Sequence, residues 1–163
     1  MRIGLGRLFA ALALFLGGCA TSPIPPGYTG PTAKIVDSSE METKFRAAYF
    51  FVSEVNGARI ETNLDALRAA NRGRGMSISA GTLSRAVPAT STKLKLEGRN
   101  AYGAPIQEIV MALTMRSVEE LIEVNLKPDE TYQVRGVLAE GKDEVWLEVL
   151  GTGERVGKKL ERK

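Results

Sequence analysis

The residues able to do chemistry in this 163-residue chain are few: one cysteine, no histidine, and scattered arginines and glutamates. Without histidine there is no Ser-His-Asp or Cys-His nucleophilic site, no His-ligated zinc and no ordinary pH switch near neutrality. The single thiol rules out a disulfide within one copy. Carboxylates remain for acid-base work, and Glu119, Glu120 and Glu123 are the densest candidates. Their strand pattern sends residues 119 and 120 to opposite faces, which suits a solvated surface better than a paired acid and base. Gly75-Met76-Ser77-Ile78-Ser79 lacks the second glycine of a nucleophile elbow, and no S-x-x-K occurs. Oxygen-only metal binding lacks a D-x-D-x-D or EF-hand spacing, so no metal or other cofactor is expected.

Arg68, Arg72 and Arg74, interleaved with Gly73 and Gly75, form the densest basic stretch of the mature region. Guanidinium forks match the phosphates of lipopolysaccharide and the carboxylates of peptidoglycan or protein, so these three are the candidate partner-binding residues. The competing reading is a solvated loop that needs no ligand. Arg-Gly-Arg-Gly lacks the Lys-Ser/Thr ending of a phosphate-binding loop, so a nucleotide site is not expected.

Cys19 is explained by what precedes it. Arg2 and Arg7 form a basic start, Leu8 to Leu16 (LFAALALFL) an apolar run, and Leu16-Gly17-Gly18-Cys19 follows directly. The order reads as an export signal, and nine apolar residues are too few for the ~20 of a spanning helix. The tetrad resembles the lipobox of bacterial lipoproteins, which implies cleavage after residue 18 and acyl chains on the Cys19 thiol. Ala20 stands where the inner-membrane retention signal of enteric lipoproteins places Asp, so the resemblance implies the periplasmic face of the outer membrane. Loss of Arg2 and Arg7 takes the basic residues from 22 to 20 against 19 acidic ones, a net charge of about +1. The pI of about 9.1 therefore belongs mostly to the leader, and nucleic acid is not an expected partner.

These residues must be carried by elements, and the pattern divides the chain into a leader (1–18), a lipidated start with a Pro/Gly-rich linker (19–31), a folded region (32–157) and a basic tail (158–163). Thr21 to Pro31 holds four of the seven prolines, an extended tether of about 30 Å at ~3.1 Å per residue. Ala33 to Asp37 is a first strand. Ala47 to Val55 is apolar, β-branched and aromatic, and Asn56-Gly57 turns it into residues 58 to 62 as a hairpin. Leu64, Leu67 and Arg68 fall at helical spacing after a capping Asn63. Met76 to Ser79, Leu83 to Val87, Lys93 to Glu97, Val118 to Leu126, Thr131 to Leu138 and Val145 to Leu150 are further strands. Gly98 to Pro105 reads as a loop, and residues 106 to 115 fit either a helix or a buried strand. Trp146 reads as a core or sheet-face residue, and Lys158, Lys159, Arg162 and Lys163 as a frayed terminus. The sum is a mainly β chain: a small antiparallel β-sandwich of seven to eight strands with a short helical insertion.

Thr29 to Ala33, Ala47 to Val52 with Asn56-Gly57, Val87 to Thr90, Tyr132 to Gly136 and Val145 to Glu148 together resemble a group of small proteobacterial outer-membrane lipoproteins. Their middle segment is similar to Ig-like, PEGA-type sandwich modules, with Pro88-Ala89-Thr90 standing where those modules carry Pro-x-Gly. The resemblance implies an Ig-like sandwich and brings no catalytic residues. The expected protein is non-catalytic, anchored to the membrane by acyl chains on Cys19, and bound to an envelope protein, peptidoglycan or lipopolysaccharide. The alternative is an enzyme acting on cell-wall or lipid substrate through carboxylates alone.

Overall fold

The computed structural model describes residues 22–70 and 78–161 of the chain. Its alternating runs become eleven strands: β1 (Thr32–Val36), β2 (Ser38–Met41), β3 (Arg46–Val55), β4 (Ala58–Arg59), β5 (Ser84–Pro88), β6 (Ser91–Tyr102), β7 (Ser117–Asn125), β8 (Thr131–Ala139), β9 (Lys142–Val149), β10 (Arg155–Val156) and β11 (Lys158–Lys159). Two helices interrupt them, α1 (Asn63–Ala70) and α2 (Pro105–Val110), and a 3₁₀ turn at Ala112–Thr114 follows α2. One sheet runs β10-β9-β8-β1-β5 and the other β11-β7-β6-β3-β2, with β4 added to β3. Among the described residues β1 against β8 is the one parallel pair. The expected mainly β sandwich is present. Eight strands have four or more residues, and the other three are two-residue pairings.

Alternation decides which side chains fill the interior. Leu94 and Leu96 of β6, Ile122 and Val124 of β7, Val134 of β8 and Leu147 of β9 are all buried in one cluster between the sheets. Phe50 of β3 needs more room than the pleat leaves. A Cβ on Gly136 would lie 2.3 Å from its ring and 2.6 Å from the Glu144 carbonyl, and one on Gly98 would lie 3.0 Å from the ring. Glycine at both positions is therefore a packing requirement. Asn56 and Gly57 adopt φ of 52° and 81°, the double positive φ of a tight hairpin turn, and join β3 to β4.

Four expectations are corrected. Residues 98–102 are not loop: β6 continues to Tyr102, paired with β3 throughout and with β7 as far as Arg99, because Gly98 serves Phe50 rather than breaking the strand. Lys158 and Lys159 are not frayed: they pair with Glu123 and Ile122 of β7, and Lys159 Nζ lies 2.8 Å from Glu120. Arg162 and Lys163 lie outside the described residues. Residues 22–31 are not a free extended tether. The Tyr28 amide donates to the Pro25 carbonyl at 3.1 Å, its hydroxyl donates to the Pro31 carbonyl at 2.7 Å, and Ser22 and Pro23 lie in a recess with Ile60, Glu61 and Arg85. Ile78 and Ser79 are not in a strand, and Met76 and Ser77 lie outside the described residues. Residues 106–115, open between helix and strand in the sequence, resolve into helix: α2 runs to Val110 and the 3₁₀ turn covers Ala112–Thr114.

Candidate functional site

β3 is buried on both faces, and that fact builds the site. Phe50 and Val52 point between the sheets, whereas Ala47, Tyr49 and Phe51 point outward and form a second apolar cluster with Leu64 of α1, Ile78 and Ala101. An exposed sheet face bearing Tyr and Phe must be covered, and α1 with the chain at Ile78 covers it. The Tyr49 hydroxyl is satisfied by donating to the Ser79 carbonyl at 2.7 Å, and burial pushes its pKa up.

The helix is fixed at its start by two independent devices. Thr62, not Asn63, is the N-cap: its carbonyl accepts from Ala66 N–H, its hydroxyl accepts from Asp65 N–H at 3.1 Å, and Asp65 Oδ2 accepts the Thr62 N–H at 3.2 Å. Asn63 is thereby freed to donate its side-chain amide to the carbonyls of Ser38 at 3.1 Å and Gly81 at 3.3 Å. The second device is Asp37, wholly buried where the chain passes from β1 in one sheet to β2 in the other. Its carboxylate accepts from Val52 N–H at 3.2 Å, Asn63 N–H at 3.1 Å and both terminal nitrogens of Arg85. Burial raises the Asp37 pKa above the ordinary carboxylate range, while Arg85, through hydrogen bonds and charge, and the two backbone donors pull it back part of the way. One side chain thus ties together both sheets and the start of α1.

Beside α1, on the outer face of the six-stranded sheet, an open cleft of about 240 Å³ is lined by charges of both signs. Glu54, Lys95, Glu97 and Arg99 come from β3 and β6, Arg59 from β4, and Asp65 and Arg68 from α1. Lys95 sits at its centre, 3.8 Å from Glu54, 3.4 Å from Glu97 and 3.5 Å from Glu119. Burial lowers the pKa of the Lys95 ammonium, but the three carboxylates outweigh burial and hold it above its ordinary value. A β-bulge between Val52 and Glu54 shifts the register here and turns Glu54 towards the lysine.

Of the three candidate arginines, Arg68 lies on the cleft wall, and its guanidinium donates to both carboxylate oxygens of Glu108 on α2, at 3.2 and 3.3 Å. Arg72, Arg74 and Cys19 lie outside the described residues. The carboxylates 119, 120 and 123 do not converge: Glu119 meets Lys95, Glu120 meets Lys159, and Glu123 accepts from the Ser91 hydroxyl at 3.3 Å. Among the described residues no group of three or more His, Cys, Asp or Glu is placed to hold a metal ion. Trp146 lies on the outer sheet face, donating to Glu148 at 2.7 Å beneath the Arg155 guanidinium, 3.8 Å from the ring centroid.

The cleft and the Asp37 hub escape a reading of the sequence for different reasons. Lys93 to Glu97 announces by alternation that its charges share a face, but nothing local says that a helix 30 residues earlier walls that face. Asp37 carries one signal, an acid at the end of an apolar alternation, which the sequence reading treats only as a strand end. No family model, no curated protein and no solved structure matches the chain.

Proposed function

We propose that this chain is a non-catalytic cell-envelope protein, anchored through acyl chains on Cys19 to the periplasmic face of the outer membrane, whose sandwich binds a protein or cell-wall partner at the α1 face. The observation that carries the binding reading is the cleft beside α1, where acids and bases alternate over one open surface. Such an arrangement complements a ligand that itself carries both carboxylates and amines, as a polypeptide or a cell-wall peptide does. Lipopolysaccharide phosphates ask for a denser block of cations than a lysine ringed by three carboxylates provides. The walls of the cleft are pre-organised by the Thr62 cap, the Asp37 hub and the clasp between Arg68 and Glu108, so little ordering cost falls on binding. Glu119, Glu120 and Glu123 each meet a different partner, and Glu54, Glu97 and Glu119 are tied to one ammonium, which favours binding over hydrolysis as the role of this surface.

The test is photo-crosslinking in intact cells from Arg59, Arg68 and Arg99, with Arg72 and Arg74 as further positions and Thr152, in the β9–β10 turn of the other sheet, as control. A discrete adduct from the cleft positions, absent from Thr152 and lost in a Lys95→Glu chain, is the expected result. Adducts of equal yield from every surface position would remove the binding reading, and turnover of purified sacculi that disappears on substituting one glutamate would replace it with the enzymatic one.

A further inference from the structure

The apolar repeat of residues 106 to 113 does not face the core. Ile106, Ile109, Val110 and Leu113 are 60%, 72%, 69% and 101% exposed, although their spacing is that of a buried helical face. Ile106, Val110 and Met111 line a groove of about 280 Å³ with Phe45 of the β2–β3 turn and Tyr102, and Ile109 and Leu113 stand exposed on the same helical segment at this end of the sandwich. The polar side chains of this segment are hydrogen-bonded within the fold. Gln107 accepts from Ala104 N–H, the Thr114 hydroxyl donates to the Met111 carbonyl, and Glu108 is held by Arg68. A contiguous surface of this kind marks a contact with something apolar.

We propose that this end of the molecule inserts into the lipid interface and gives the chain a second, non-covalent contact with the membrane that carries its anchor. The inference rests on the lipid-anchored reading and on where the chain leaves the fold. Ser22 lies in a recess with Leu83 and Ser84, at the edge formed by β5, and Ser84 pairs with Val36. From Val36 the strand direction continues through β2 to Met41 and the turn bearing Phe45, about 20 Å further at ~3.3 Å per residue. Three residue steps separate Cys19 from Ser22, at most about 10 Å of chain. A domain held that closely cannot stand clear of the bilayer, and the side it turns towards the lipid carries β5, β2 and the apolar end. The exposed apolar side chains there are aliphatic, thioether and phenyl, as an interfacial insertion requires, and Tyr102 in the groove wall adds the amphipathic ring that suits a headgroup boundary. Lys44, exposed beside Phe45, is placed to meet an anionic headgroup.

The test uses the full, processed chain in vesicles of phosphatidylethanolamine and phosphatidylglycerol, carrying a fluorophore on Leu113→Cys, with Ile109→Cys as a second position and Thr152→Cys as control. Bromines on the acyl chains should quench the probes at 113 and 109 at least about threefold more than the probe at 152, and aqueous iodide should show the reverse order. Iodide quenching at 113 and 109 equal to that at 152, in chain that mass spectrometry shows to be acylated, overturns this inference and leaves the anchor standing. Shielding from both quenchers, by a second copy or a co-purifying protein, also overturns it. If Cys19 carries no lipid, the anchored reading falls separately, and the same probes on chain added to the same vesicles decide the apolar end alone: bromine quenching sustains it, and its absence removes it.

Discussion

Asp37 shows how one buried charge can organise a sandwich whose interior between the sheets is filled mainly by apolar side chains. A carboxylate without contact with water is tolerable when every lone pair is used, and here Arg85, Val52 and Asn63 use them. The Arg85 side chain is itself only 9% exposed, so neither partner can turn to solvent if the other is lost. Asp37→Asn keeps an acceptor for the backbone donors but leaves the guanidinium without its counter-charge. It should destabilise the fold by about 3–5 kcal/mol, read as a lower midpoint in urea. Arg85→Met alone leaves the carboxylate buried and should cost about as much, whereas the double variant should recover part of the loss. Strict additivity of the two losses would show that the pair is not coupled.

Among the elements, α1 is the one whose removal should be felt locally. Leu64 buries against Tyr49 and Phe51 outside the main core, so Leu64→Ala opens a cavity in the second cluster and not between the sheets. A loss of about 2–5 kcal/mol is expected. Hydrogen exchange should quicken at Ala66, and amides of β8 and β9 should keep their protection. Equal acceleration everywhere would mean that α1 and the sandwich unfold as one unit. The strands themselves are largely legible in the sequence, because Leu94, Leu96, Ile122, Val124 and Val134 obey a period of two that burial alone imposes. Legibility fails where a residue answers to a distant partner. Gly98 reads as a breaker but makes room for Phe50, Asn63 reads as a cap but bonds Ser38 and Gly81, and Lys158 reads as frayed but joins β7. The periodicity of residues 106 to 113 correctly suggests a helix as one option, yet no local pattern can say that its apolar face points away from the core. Only Arg68 of the three candidate arginines can be placed, and its tie to Glu108 joins segments 40 residues apart.

At the scale of the whole molecule, the proposed anchor at Cys19 and its short connection to the folded chain would make anchor and domain a single device. On that reading the acyl chains supply the durable attachment; among the described residues no helix is long and apolar enough to cross a membrane. Each buried methylene contributes about 0.8 kcal/mol, and two or three chains make that attachment effectively permanent, while a small apolar end alone gives reversible contact. Cys19→Ala separates the two contributions. The unaltered chain should follow the outer-membrane density fraction through washes with high salt and with alkaline carbonate. The variant should leave that fraction, either as unprocessed precursor held by residues 8–16 at the inner membrane or as protein that the carbonate wash releases. A Cys19→Ala chain still processed at residue 19, and as firmly bound to the outer membrane as before, would show that the thiol is not the anchor.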